Sequence, residues 1–519
     1  MKYNKARAVC AIFAGIILTG CSSGKVESGV SVADFGDSGG VNYSHEDIPA
    51  ESKPISSASH TQDTSTHEPP QADDDTSEEH VSSPAEESSA QQQTTTKDSS
   101  HVTETSVPSS ETTAATEKTS AATEKTTVIS TTTAETLPVE VPDYDFGSST
   151  YTAVNYSEVK GVWISYIELS EILTGQSRDS FRKNISEVFD NCVSFGINTV
   201  YVHVRSHSDA YYRSELFPWS RYVTGTLGSD PGFDPLDIMI NEAHSRGLSF
   251  QAWINPLRAC STSQLSSYGN YPVYSYATGT GTAGNYVVDV NGTYYLNPAY
   301  DEITELIAAG ASEILANYDV DGLHIDDYFY PTTDASFDSS AYSASGYGSL
   351  SDFRFANCDR MVSELYRAVK SANPSAVFSV SVQGRIDNNY TQLYADVRKW
   401  CTNPGYLDVI IPQIYYGFEN SAAPYQSTLN EWEKLAQKGG IPLVTGLSVS
   451  KIGIEDTWAG SGKYEWINNS DIISRQLSAA KKCGSYGGFA LYSYRSIFSP
   501  DPAVSAAVNK EISALKDII

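Results

Sequence analysis

The stretch Asp-Gly-Leu-His-Ile-Asp-Asp-Tyr-Phe-Tyr-Pro, residues 321–331, decides the fold more clearly than any other part of the chain. Leu323 and Ile325 alternate with His324 and Asp326, so a strand here has one apolar face and one polar face. A second carboxyl group, Asp327, follows where the strand pattern stops. This pattern is typical of parallel α/β folds, in which polar functional groups gather at the carboxyl ends of buried strands.

Segments of the same kind recur on both sides of this stretch. The predicted strands are 161–167, 199–204, 249–254, 322–325, 377–382, 408–414, 442–447 and 488–492. Amphipathic helical patterns lie between them at 180–195, 237–246, 302–317, 352–372 and 470–483. Repeated βα units predict an α/β fold, a (β/α)8 barrel spanning residues 153–519. A doubly wound sheet is the alternative, but no Gly-rich phosphate loop follows the first strand.

Polar side chains share the predicted inward face of five strands. They are His203 and Arg205, then Gln251, Trp253 and Asn255, then His324 and Asp326, then Ser379, Ser381 and Gln383, and finally Gln413 and Tyr415. Unpaired buried polar groups each cost about 1–3 kcal/mol, so a polar ring at a barrel mouth indicates a ligand site or a self-contained hydrogen-bond network. Aromatic residues are frequent near the same strand ends, which favours a carbohydrate groove.

The first 148 residues have a different composition from the rest of the chain. A basic start, an apolar run from Ala8 to Leu18 and Cys21 resemble a bacterial lipoprotein signal, which implies a signal peptide over 1–20. On that resemblance Cys21 is lipidated and holds an exported protein at the outer face of the cytoplasmic membrane. An ordinary cleaved signal is the alternative. The Ser-, Thr- and Glu-rich segment 21–148 has no apolar face to bury, so we predict a disordered linker.

Charge and cysteine content exclude some partners. The net charge of −29 argues against nucleic acid, because no basic surface is available to neutralise phosphates. The cysteines outside the signal, at 192, 260, 358, 401 and 483, show no metal-ligand spacing, and their odd number leaves at least one thiol unpaired. We expect most of them to be small core residues in a monomeric barrel.

Several long strings together resemble the glycosyl-hydrolase-like family 10 of exported bacterial barrel proteins, over roughly residues 156–500. The strings lie at 204–220, 230–236, 242–248, 252–258, 295–298 and 321–331, with a weaker one at 411–416. The resemblance implies a (β/α)8 barrel that hydrolyses glycosidic bonds of a polysaccharide, with cell-wall (peptidoglycan-type) glycan strands as the associated substrate. One departure is Ser-Val-Ser-Val-Gln-Gly at 379–384, where a Ser-Pro-Phe-Gly-like string is expected.

Glycoside hydrolysis usually needs two carboxyl groups, and no cofactor. Asp326 is the first candidate, because the strand also resembles the fourth strand of amylase-like barrels, in which a nucleophilic aspartate follows a basic residue by two positions. Its partner is left open among Asp327, Asp209, Asp387 and Glu419. The candidates for substrate binding are Arg205, Trp253, Asn255, His324, Gln413 and Tyr415.

Two other functions use the same residues differently. A metal-dependent hydrolase would hold its metal with His203, His207, Asp209, His324 and Asp326, but the His203–His207 spacing suits a helix and falls across a strand end. A non-catalytic surface module would bind glycan through the aromatic residues without cleaving it. Glycan turnover separates the hydrolases from this last alternative.

Overall fold

The computed structural model describes residues 144–519, which contain a closed barrel of eight parallel strands. The barrel strands are β1 Val159–Ile164, β2 Thr199–Arg205, β3 Ser249–Ile254, β7 Gly322–Ile325, β8 Val377–Gln383, β9 Val409–Gln413, β10 Leu443–Ser448 and β11 Tyr486–Tyr492. They pair around the barrel in this order, and β11 pairs with β1 to close it. The predicted (β/α)8 barrel is confirmed. The predicted signal, Cys21 and nearly all of the predicted linker lie outside the described residues.

Helices cover the outside of the barrel and cross between its strands. Their bounds are α1 Tyr166–Leu173, α2 Arg178–Phe195, α3 Arg221–Thr224, α4 Pro235–His244, α5 Pro272–Thr278, α6 Asp301–Asn317, α7 Ser339–Ser345, α8 Leu350–Ala372, α9 Ile386–Thr391, α10 Val397–Thr402, α11 Tyr425–Gly439, α12 Glu465–Asn468, α13 Ile472–Ala480, α14 Tyr494–Phe498 and α15 Ser505–Lys516. Each of the five predicted helices is present. Among the residues described, no helix has the length and apolar character to cross a membrane.

The first strand is shorter than predicted. It ends at Ile164, because Ser165 caps the helix α1 that begins at Tyr166. The Ser165 hydroxyl accepts from the Glu168 backbone N–H, and the Glu168 carboxylate accepts from the Ser165 backbone N–H. This reciprocal capping box satisfies two donors that a continuing strand would have used elsewhere.

A small antiparallel sheet between β3 and α6 was not predicted. It consists of β4 Arg258–Ser261, β5 Val287–Val290 and β6 Thr293–Leu296, in the order β4-β6-β5. The β5–β6 turn is Asn291-Gly292, with φ of 55° and 86°. Asn-Gly is a strong hairpin signal because both positions need positive φ, so this turn was readable from the sequence.

Aromatic side chains fill the inside of the barrel. Trp163, Tyr201 and Trp253 pack there with the smaller Ile411, Val444 and Ala490. A Cβ at Gly446 would lie 2.9 Å from the Pro412 carbonyl oxygen and 3.3 Å from the Trp163 ring. The glycine therefore makes room for the indole. The strand residues that alternate with these inward-facing ones point out of the barrel and pack against the helices, as the alternation in the sequence predicted.

The chain before β1 is tied to the amino-terminal end of the barrel by one buried carboxylate, Asp321. Asp321 accepts from the Tyr151 hydroxyl, the backbone N–H groups of Val154 and Phe250, and pairs with His244 at 2.9 Å. Contacts begin still earlier, where the backbone N–H of residue 149 donates to the carbonyl of residue 372. The barrel domain thus makes contacts ahead of its predicted start at 153.

The cysteines of the barrel are free thiols in the described part of the chain. Four of them, at 192, 260, 358 and 401, are buried, and the fifth, at 483, is partly exposed. The four buried thiols act as small core residues, as was expected for most of the cysteines.

Replacing Asp321 with Asn should destabilise the barrel. The amide can still accept from Tyr151 and Val154, but its NH2 group would face the backbone N–H of Phe250 and leave that donor unpaired. We expect the free energy of unfolding to fall by at least about 2 kcal/mol in a urea titration. Asp319→Asn, at an exposed position two residues away, is the matched control. Equal stability of the two variants would contradict this role of Asp321.

Candidate active site

Asp326 and Asp327 lie at the carboxyl end of β7 and turn to opposite sides of the barrel mouth. Asp326 is only 1% exposed and accepts at Oδ1 from Asn255 Nδ2, 2.6 Å away. Asp327 is partly exposed and accepts at Oδ1 from Gln413 Nε2, 3.2 Å away. One carboxyl group is therefore held from β3 and the other from β9. Such a pair, deep in a mouth and separately held, can perform different steps of one reaction.

A chain of hydrogen bonds fixes the orientation of Asn255. The backbone N–H of Tyr166 donates to His203 Nδ1, which leaves His203 Nε2–H to donate to Asn255 Oδ1. Arg258 Nη2 donates to the same oxygen, at 2.9 Å. Because the Asn255 oxygen receives these donors, its NH2 group must point to Asp326.

Burial perturbs both carboxyl groups. It raises the pKa of Asp326 well above the usual value for aspartate, and the charge of Asp327 raises it further, against the lowering effects of Arg258 and Asn255. Burial also raises the pKa of Asp327 to about 6, against the hydrogen bonds from Gln413 and Gln383. The two sites titrate as a pair, and Asp326 holds its proton to the higher pH.

Two stacked tyrosines, Tyr415 and Tyr492, lie beside the aspartate pair. The rings of Tyr415 and Tyr492 stack with centroids 6.1 Å apart. Burial, and the nearby charges of Asp327 and Asp326, raise the pKa of Tyr415. Within residues 144–519 the Tyr415 hydroxyl and Asp326 Oδ2 are buried without a hydrogen-bond partner. The structure therefore places five of the candidate residues next to one another, namely Asp326, Asp327, Asn255, Gln413 and Tyr415.

His324 and Trp253 lie deeper than a substrate contact would. Trp163 Nε1 donates to His324 Nε2 at 3.0 Å, and His324 Nδ1 bonds the Ser379 hydroxyl at 2.8 Å. Trp253 is fully buried and stacks on His203. Both residues support the strand ends from inside the barrel. The structure therefore favours a supporting role for them over the predicted contact with substrate.

The prediction that Arg205 faces the mouth is wrong. The pairing of β2 with β3 shifts register after His203, so that His203 pairs with Trp253 while Arg205 pairs with the outward-facing Ile254. The bulge reverses the parity of Arg205. Its guanidinium carbon lies 4.4 Å from the Phe217 ring centroid, between the barrel and its helices.

Three of the candidate acids lie apart from the buried pair. Glu419 is exposed, and its backbone N–H donates to Glu465. Asp387 is exposed on α9 and pairs with Arg398. Asp209 is buried in the loop after β2, where burial raises its pKa to about 6. No described contact joins any of these three to the pair, so Asp327 is the partner that the geometry favours.

Sequence reasoning missed Arg258 and Gln383 as site residues. Arg258 donates to Asn255 and to the Tyr328 hydroxyl, and Gln383 hydrogen-bonds Asp327. The sequence held a signal for both. Gln383 alternates in phase with the inward-facing Ser379 and Ser381, and Arg258 is the last residue of the family-like segment 252–258. For the metal-dependent alternative, no group of three or more His, Cys, Asp or Glu side chains in residues 144–519 is arranged so that it could hold a metal ion.

The chain is similar to known proteins of one family. The family model described as glycosyl hydrolase-like 10 matches residues 158–460. The chain is 30% identical to the glycosyl hydrolase YngK of Bacillus subtilis, over 62% of this chain and 67% of that protein. It is also 30% identical to the glycosyl hydrolase DigH of Escherichia coli K12, over 53% of this chain and 68% of that protein.

Solved structures with a similar chain path include the PgaB (BpsB) glycoside hydrolase domain of Bordetella bronchiseptica, with a TM-score of 0.45 and 14% identity. That match covers 68% of this chain and 99% of the other. The catalytic domain of a Paenibacillus polymyxa β-amylase gives a TM-score of 0.44 and 12% identity, covering 70% of this chain and 99% of the other.

The raised pKa of Asp327 predicts a stability change with pH. A carboxyl group with a raised folded pKa stabilises the fold below its unfolded pKa, and this stabilisation is lost as the pH rises through the folded value, here about 6. The unfolding free energy of Asp327→Asn minus that of the unaltered protein should therefore increase by roughly 1–2 kcal/mol between about pH 4 and pH 8. Urea titrations at several pH values measure this. Asp387→Asn, on the exposed face of α9, is the control, and an equal gain in that variant would contradict the assignment.

Proposed function

Because this chain belongs to the glycosyl hydrolase-like 10 family, we propose that it is a glycoside hydrolase of the cell surface that cleaves cell-wall glycan strands with Asp326 and Asp327. The observation that carries the proposal is the buried, separately held carboxyl pair at the end of β7. Two carboxyl groups in different protonation states are what glycoside hydrolysis requires. Turnover of glycan decides between this function and a module that binds glycan without cleaving it.

The environments of the two carboxyl groups divide the roles. Asp326 keeps its proton to the higher pH, and its Oδ2, without a partner among the described residues, is free to carry that proton. We assign it as the acid that protonates the leaving oxygen when the glycosidic bond breaks. Asp327, with a pKa of about 6, is mostly ionised near neutral pH and attacks the anomeric carbon or takes a proton from the attacking water. This reverses the nucleophile role expected for Asp326 from its resemblance to amylase-like barrels.

The surroundings of the pair suit a sugar ring. The stacked Tyr415 and Tyr492 offer apolar ring surface, while Gln413 offers an amide to sugar hydroxyls. The Tyr415 hydroxyl, buried near both aspartates, can donate to charge that develops during cleavage. His203 and His324, which a metal-dependent site would use as ligands, are instead hydrogen-bonded to Asn255 and Ser379, and this favours the two-carboxyl chemistry.

Asp326→Asn and Asp327→Asn should both abolish cleavage of purified cell-wall glycan while leaving the fold intact. Each amide oxygen can still accept the hydrogen bond from Asn255 or Gln413, but the amide cannot supply the proton or the negative charge. We expect losses of roughly 10²–10⁴ in kcat for the acid and at least about a thousandfold for a nucleophile. Product release measured by chromatography gives the rates, and Asp387→Asn should cleave normally.

A substrate with an activated leaving group tests which aspartate is which. A dinitrophenyl glycoside of a suitable sugar needs no proton on departure, so Asp326→Asn should recover most of its rate on it and Asp327→Asn should not. The opposite pattern would exchange the roles. Near-normal glycan cleavage by either variant would overturn the assignment.

The membrane location is the second part of the proposal. We infer from the lipoprotein-like start of the chain that acyl chains on Cys21 hold the protein at the extracytoplasmic face, since two or more chains are needed for stable anchoring. Cys21→Ser should therefore move the protein from the membrane fraction to the soluble fraction after cell lysis, with the thermal unfolding temperature of the barrel unchanged. Retention of the variant on membranes after full signal processing would contradict the anchor.

A further inference from the structure

Asp209 is a buried carboxyl group that takes no part in the proposed cleavage. It is 3% exposed in the loop after β2, and its Oδ1 has no hydrogen-bond partner among the residues described. An ionised carboxyl group in such a place costs free energy, so a buried aspartate indicates positive charge nearby. Two arginines supply that charge, Arg258 from β4 and Arg221 from the start of α3.

Hydrogen bonds hold the loop that carries Asp209 against β4. Arg258 Nε donates to the Ser206 carbonyl oxygen at 2.9 Å, and the Ser208 backbone N–H donates to the Ala259 carbonyl oxygen at 3.0 Å. The second bond joins the residues that lie next to Asp209 and Arg258 in the chain. The two side chains therefore belong to one buried contact between the loop and β4.

Arg258 connects this contact to the catalytic pair. Its Nη2 donates to Asn255 Oδ1 at 2.9 Å, and Asn255 Nδ2 donates to Asp326 Oδ1 at 2.6 Å. Burial and the charge of Asp327 raise the pKa of Asp326, and the Arg258 charge opposes them. Burial also raises the pKa of Asp209, to about 6, and the Arg258 charge opposes this rise as well. One guanidinium group thus stabilises negative charge on two separate carboxyl groups.

Other titratable groups that face Asp209 in the described part of the chain stay uncharged near neutral pH. Burial raises the pKa of the phenols and the thiol among them, which are Tyr211, Cys260 and Tyr268. His207, on the same loop, is neutral because burial and the charges of Arg258 and Arg221 lower its pKa. The two arginines are therefore the charges that Asp209 faces.

Around Asp326 the charged groups are Asp327 and Arg258. Burial raises the pKa of Tyr415 and of Tyr492, so the two stacked phenols beside Asp326 stay neutral. Arg258 is thus a cation that both Asp326 and the carboxyl group in the loop after β2 face. A change of charge on either carboxyl group alters how strongly Arg258 acts on the other.

We propose that Asp209 is a positioning residue of the active site, whose carboxylate neutralises the Arg258 charge so that Arg258 holds Asn255 without drawing the proton from Asp326. This inference rests on the proposed hydrolase function and adds a residue to its machinery. A buried guanidinium without a counter-charge would favour the ionised form of Asp326, which cannot protonate the leaving oxygen. Asp209 therefore separates the hydrogen bond that Arg258 gives to Asn255 from the effect of its charge on Asp326.

The test is the pH dependence of glycan cleavage by Asp209→Asn in the full-length protein. This change removes the charge and keeps the size of the side chain. Because burial makes that charge costly, the variant should fold, and its thermal unfolding checks this. Without the counter-charge, Arg258 stabilises the Asp326 carboxylate more strongly. The alkaline limb of the kcat/KM profile should then move to lower pH by roughly 0.5 pH unit, a roughly threefold loss of rate on that limb.

Acidic pH separates this electrostatic role from a purely structural one. Since the pKa of Asp209 is about 6, this residue is mostly protonated at about pH 5 in the unaltered protein as well. The unaltered protein and Asp209→Asn should therefore cleave at nearly equal rates there, whereas a distorted loop would slow the variant at every pH. Asp230→Asn removes an exposed charge that pairs with Arg213, and its pH profile should match that of the unaltered protein.

Two further variants test whether the effect passes through Arg258. In the Arg258→Gln background, Asp209 lacks the charge that helps to keep it ionised, so Asp209→Asn should cause at most about half of its usual shift. A full shift in that background would overturn the role. Ser220→Ala leaves Asp209 in place but removes a hydroxyl that lowers its pKa, so we expect a smaller shift in the same direction as that of Asp209→Asn.

A titration that needs no cleavage keeps this inference separate from the hydrolase function. With carbon-13 in the aspartate carboxyl groups, NMR follows the Asp326 signal, which is identified by its absence from Asp326→Asn. Asp326 should titrate at lower pH in Asp209→Asn, by roughly 0.5 pH unit. An unchanged titration, or an equal shift in Asp230→Asn, would overturn the role of Asp209 and leave the hydrolase function standing. A shifted titration in a protein that cleaves no glycan would do the reverse.

Discussion

The hydrogen bond from Asn255 to Asp326 is the interaction on which the site depends. Two adjacent carboxyl groups at the end of one strand repel each other, and burial makes both charges costly. The barrel reduces this cost by holding Asp326 from β3 and Asp327 from β9, and by letting Asp326 retain a proton. The cost that remains is the same free energy that raises the two pKa values. The protein is therefore less stable than it would be with apolar residues at the end of this strand.

The inside of the barrel supports this arrangement from below. Trp163 donates to His324, His324 bonds Ser379, and the Trp253 ring packs against His203, which in turn fixes the amide of Asn255. The large indoles leave little free volume and their contacts fix the imidazoles, so the strand ends above them have little freedom to move. His203 and His324, whose positions in the strand pattern resemble those of ligand contacts, here hold the other site residues in place.

Sequence alone predicted the barrel because every one of its strands and its main helices carries a clear periodicity, and most core positions follow from parity. It failed where one residue changes the geometry. Ser165 ends β1 early through its capping box, and the bulge after His203 turns Arg205 away from the mouth. The separation of Glu419, Asp387 and Asp209 from the pair depends on how long loops fold, which strand parity does not encode. Arg258 reaches the site from β4 of a small sheet that was not predicted, although the Asn291-Gly292 turn of its hairpin is a readable signal.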